Sequence, residues 1–89
     1  MIESSVFLCL AQEILSERAK EYESPKGEKS MEQITHLFNT LFNKDLTPTQ
    51  GYVFMVLLKL VRATKREFKE DTYIDAINYI ALAGEEASK

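Results

Sequence analysis

Residues 52–61 read Tyr52-Val53-Phe54-Met55-Val56-Leu57-Leu58-Lys59-Leu60-Val61, an apolar run interrupted only by Lys59. Directly ahead of it, Thr47-Pro48-Thr49-Gln50 offers an N-cap, a proline at the first helical position and a glutamine at the third. The run therefore reads as the third helix of the chain. A helix that is apolar nearly all round must be covered on more than one side, so the rest of the chain is expected to pack around it. It is too short to span a bilayer, and so is the apolar stretch 6–11.

The remaining elements are helical by the same periodicity. A first helix runs from a Ser4 or Ser5 cap to about residue 23. The Pro25 and Gly27 segment, residues 24–29, is a loop. Ser30-x-x-Gln33 is a capping-box pattern for helix two. Met31, Ile34, Leu37, Phe38, Leu41 and Phe42 follow at amphipathic spacing, and Asn43-Lys44-Asp45 ends that helix. Asp71 or Thr72 caps a fourth helix ending near Gly84 or Glu85. No strand-like alternation is present. The expected fold class is all-α, a compact four-helix domain spanning residues 1–89.

A core of 89 residues is marginal alone, and Val6, Cys9 and Leu10 fall off the main stripe of helix one. The chain is therefore expected to be a homo-oligomer, associating through apolar surface of helices one and three. Its net charge of −3 argues against duplex nucleic acid as a partner. No segment suits a membrane. The start, Met1-Ile2-Glu3-Ser4-Ser5, lacks the basic residues of a signal peptide, and a cytoplasmic location is expected. The lone Cys9 sits in an apolar run and reads as a small core residue.

Charges placed among apolar residues are the candidate functional groups. On a helix at about 100° per residue, Arg18 falls in the middle of the stripe formed by Phe7, Leu8, Ala11, Ile14, Leu15 and Tyr22. There it needs an anionic partner or an open cleft, because an unpaired buried charge costs several kcal/mol. Helix three has one face of Val53, Phe54, Leu57, Leu60 and Val61. Gly51, Tyr52, Met55, Leu58, Lys59 and Arg62 make the other. Lys59 and Arg62 are three apart and adjacent, as a pair holding a phosphate or carboxylate would be. They also suit simple pairing with acids of a neighbouring helix. Helix four has an apolar side of Tyr73, Ile74, Ile77, Ile80 and Ala81, opposite Asp71, Asp75, Asn78, Tyr79 and Leu82. Asp71 and Asp75 share a face, as a carboxylate pair for a divalent cation would. Acids at a helix start also answer the macrodipole. His36 has no second ligand near it for zinc, and no nucleophile elbow or phosphate-binding glycine loop is present.

Three elements together carry a resemblance: Glu17-Arg18…Tyr22, then Phe54-Met55-x-x-Leu58-Lys59-Leu60-x-Arg62, then Asp71-x-Tyr73-Ile74-Asp75-x-x-x-Tyr79. The chain resembles a family of small all-helical proteins of tailed phages and prophages. It departs from that family in having Tyr22-Glu23 where a Tyr-Gly pair is usual. The family is distantly similar to all-α nucleoside-triphosphate pyrophosphatases of the MazG type, which hold magnesium with acid pairs on two helices. At the corresponding place this chain has Lys59-x-x-Arg62. The resemblance thus implies that hydrolysis is lost while a pocket for a phosphorylated nucleotide persists.

The expectation is a phage-encoded, non-catalytic binder of a small anionic, nucleotide-like ligand, sequestering a host immune signal. Its pocket would be built from Arg18, Tyr22, Lys59, Arg62, Asp75 and Tyr79, with no catalytic residue and no cofactor. One alternative is a divergent pyrophosphatase using magnesium on Asp71 and Asp75. Another is an inhibitor that binds a host protein through its acidic surface.

Overall fold

The computed structural model describes residues 1–22, 30–65 and 67–89, the side chain of Tyr22 excepted. The expected loop at residues 24–29 lies outside the described residues. Among the described residues there are four helices and no strand: α1 (Ser4–Tyr22), α2 (Ser30–Phe42), α3 (Pro48–Ala63) and α4 (Glu70–Ala87).

The start of α3 follows from its sequence. Thr47 is extended and accepts a hydrogen bond from the Gln50 N–H, while the Gln50 side chain accepts one from the Thr47 N–H. Pro48 occupies the first turn, where its missing N–H is no loss. The end of α2 is equally local. Asn43 takes a left-handed φ of 53°, and the Lys44 N–H returns to the Asn39 carbonyl at 3.2 Å, closing the helix as a Schellman turn does. The Asn39 amide then clips Leu46 with two bonds of 2.8 Å, donating to its carbonyl and accepting from its N–H.

Helix four differs from expectation at both ends. It starts at Glu70 behind Lys69, which makes no side-chain cap, rather than behind Asp71 or Thr72. Glu70 and Asp71 fill the first turn, where their charge suits the helix dipole. It continues past Gly84 to Ala87 because that glycine keeps a helical conformation.

The helices pack in the order α1–α4–α3–α2, and no other pair of helix backbones comes close among the described residues. Lys59 meets Asp75 and Tyr52 clusters with Ala83, so α3 and α4 run antiparallel. Phe7 lies against Tyr73, with ring centroids 6.1 Å apart, whereas Arg18 lies beside Asp75. Eleven residues of α1 thus correspond to two of α4, so α1 crosses α4 rather than following it. The core is small: Met31, Tyr52 and Ala83, with Met55, Tyr79 and Leu82 against them. Gly51 is buried on α3 against Met31 and Thr35 of α2. A Cβ there would run into Met31 Sδ and lie 3.1 Å from Thr35 Cγ2.

This packing selects faces that hydrophobicity does not. Helix α3 is covered on one side only, not on several. Its inner face carries Gly51, Tyr52, Met55, Leu58 and Lys59, and Val53, Phe54, Leu57, Leu60 and Val61 are exposed. Helix α4 buries Thr72, Ile74, Asn78 and Ala83, while Tyr73 and Ile80 from its apolar side are exposed. Cys9 is exposed rather than in the core, because among the described residues α1 packs on α4 alone and turns that side outward. The body is compact but open on one side, with principal extents of 45 × 33 × 22 Å.

Candidate functional site

Two polar constellations come from the residues singled out above. The first centres on Asp75, half-buried in α4 between α1 and α3. Lys59 Nζ donates to Asp75 Oδ2 at 3.0 Å, and the two side chains are only 12% and 14% exposed. Arg18 Nη2 lies 3.8 Å from Asp75 Oδ1, with its own side chain 53% exposed. One carboxylate thus links three helices and faces two cations.

The expected meeting of Lys59 with a helix-four acid is found, and so is the contact of Arg18 with Asp75. Arg18 is not enclosed by the apolar stripe, however. Because α1 crosses α4, only Ala11 is buried among the described side chains of that stripe, and Arg18 is half exposed. At 3.8 Å and half in water, its pairing with Asp75 is weak beside that of Lys59.

The second constellation is a cleft of about 300 Å³ where the end of α3 meets the start of α4. Arg62, Lys65 and Lys69 line it with Glu67, Thr72 and Tyr73. The Tyr73 ring stacks on Phe68, with centroids 5.7 Å apart. Arg62 makes no ion pair among the described residues, so its guanidinium is free to take an anion.

The expected pocket is therefore divided. Arg18, Lys59 and Asp75 are together, and Arg62 belongs to the cleft. Tyr79 is half-buried against the core cluster and does not line the cleft. The Tyr22 side chain lies outside the described residues. Lys65 and Lys69 are additions. The run Arg62-Ala63-Thr64-Lys65-Arg66 at the end of α3 was the available signal for Lys65. Lys69 needed the turn that brings it back beside Arg62.

A divalent cation at Asp71 and Asp75 fits the donors poorly. Asp71 is exposed, and Asp75 is already neutralised by the Lys59 ammonium. Among the described residues no group of three or more His, Cys, Asp or Glu could hold a metal ion. No helix is long and apolar enough to cross a membrane among the described residues.

No curated protein and no solved structure matches the chain. A family model described as a domain of unknown function, DUF6378, matches residues 7–87. The match takes in nearly all of α1 and the whole of the other three helices, and the chain belongs to the DUF6378 family.

Proposed function

We propose that this protein is a non-catalytic binder of a small anionic, nucleotide-like ligand, with the anion held in the α3–α4 cleft. The observation that carries this reading is the grouping of Arg62, Lys65 and Lys69 around a single acid, Glu67, in a concave site. A guanidinium meets phosphate oxygens in a bidentate fork, and ammonium groups add point charge. Tyr73 supplies an aromatic wall suited to a base or another flat apolar group. About 300 Å³ is at the small end of ligand sites, which favours a mononucleotide-sized ligand over a polymer. The Asp75 pairing speaks for a binder over a magnesium enzyme, since a metal would have to displace Lys59. The proposal includes self-association. In the phage setting that the sequence resemblance implies, such a binder would sequester a host signal nucleotide.

The test is calorimetry of the pure protein with nucleotides, cyclic nucleotides and inorganic phosphate, with and without magnesium, alongside an assay for phosphate release. Binding without turnover is expected. Arg62→Ala should weaken it about tenfold or more, since a hydrogen bond to a charged group contributes about 1.5–3 kcal/mol. Arg18→Met should leave it unchanged. Magnesium-dependent turnover abolished by Asp75→Asn would establish the enzyme instead. No binding across the panel would remove the ligand reading and leave a protein-interaction role.

A further inference from the structure

The outer face of α3 is the largest feature that the ligand site does not use. Val53, Phe54, Leu57, Leu60 and Val61 are all exposed, Leu57 by 54%. They recur at the three- and four-residue spacing of a helix-packing seam. The one charge within the run, Lys59, is turned away from this face and held by Asp75. Five large apolar residues of α2, Ile34, Leu37, Phe38, Leu41 and Phe42, are exposed as well.

The area points to an occupant. The chain presents 6948 Å² to solvent, whereas a folded monomer of 10.2 kDa is expected to present roughly 5300 Å². The excess, on the order of 1500 Å², is spread over the whole chain, and it is of the size that one partner of an obligate homodimer buries, about 1000–2500 Å². A standard transient interface takes only about 800 Å² per partner. The seam has no charge of its own with which to select a differently charged partner. An uncharged apolar helix face meets its own copy about a two-fold axis without like-charge repulsion.

We infer that a second copy of this chain covers the α3 face, with the two α3 helices packed against each other about a two-fold axis. This inference stands apart from the nucleotide reading, because the cleft residues and the α3 face are different groups.

Light scattering on the full chain carrying Cys9→Ser should give at least twice the 10.2 kDa chain mass. A mass of 10.2 kDa at high micromolar concentration would overturn the inference. Leu57→Asp should return the assembly to monomer. Since that variant could simply fail to fold, disulfide trapping provides the second measurement. Val53→Cys, Leu57→Cys and Leu60→Cys are each introduced into the Cys9→Ser chain and oxidised. At least one should give a covalent dimer, while Ile80→Cys, comparably exposed on α4, should not. A dimeric mass with no trapping along α3, or trapping at position 80 alone, would place the interface elsewhere and overturn the inference. Loss of nucleotide binding in any of these variants does not bear on it.

Discussion

Asp75 decides how the polar residues of this protein are used. Lys59 is nearly enclosed with it, so removing the acid strands a cation in a poorly solvated place. Asp75→Asn should destabilise the fold by about 3 kcal/mol, measured by urea unfolding. Lys59→Met should cost less, because Arg18 remains beside the carboxylate to offset part of its charge. Arg18→Met alone should cost at most about 1 kcal/mol, as befits a half-exposed pair at the limit of contact distance. A loss from Arg18→Met as large as that from Asp75→Asn would mean that Arg18 is the main partner, contrary to the distances. The double variant Lys59→Met with Asp75→Asn should recover part of either single loss, since it leaves no stranded charge.

The elements differ in where their definition comes from. The start of α3 is local, and Thr47→Ala should cost about 1 kcal/mol through the lost cap. That effect should persist whatever α3 packs against, because the capping box is made within four consecutive residues. The α2–α3 contact is instead tertiary. Alanine is a better helix former than glycine by about 1 kcal/mol, so helix propensity alone would make Gly51→Ala stabilising. Its Cβ would, however, run into Met31, and overpacking costs about 1–3 kcal/mol. The expected outcome is a net loss of about 1 kcal/mol in thermal or chemical unfolding. A net gain would show that the Met31 side chain steps aside freely.

At the scale of the whole molecule, the chain leaves more surface open than a lone domain of this size should carry, and large apolar side chains are part of it. If folding is completed by a second copy, stability must depend on concentration. A tenfold increase in protein concentration should then raise the melting temperature by about 3–5 °C, read by circular dichroism. An unchanged melting temperature would mean that the single chain is stable with its α3 face in water.

Much of the local structure was legible in residues 1–89. Four helices, the Thr47-Pro48-x-Gln50 start and the Asn43 stop all rest on interactions within a turn or two, which a linear reading captures. The partners of a charge were legible too: cations on helices one and three and acids on helix four left few ways to satisfy Lys59. Which faces turn inward was not legible, since the hydrophobic pattern left helix three apolar on both faces. Helix α3 buries the face carrying Gly51 and Lys59, and α4 buries Asn78, while Leu57, Val61 and Ile80 stay outside. Periodicity ranks the faces of each helix by transfer from water, one helix at a time. The choice between faces depends on matching two surfaces: an ammonium opposite a carboxylate, and a glycine opposite a methionine. Those matches exist only when the helices are brought together. The cleft is of the same kind, since Lys69 joins Arg62 only once the chain has turned from α3 into α4.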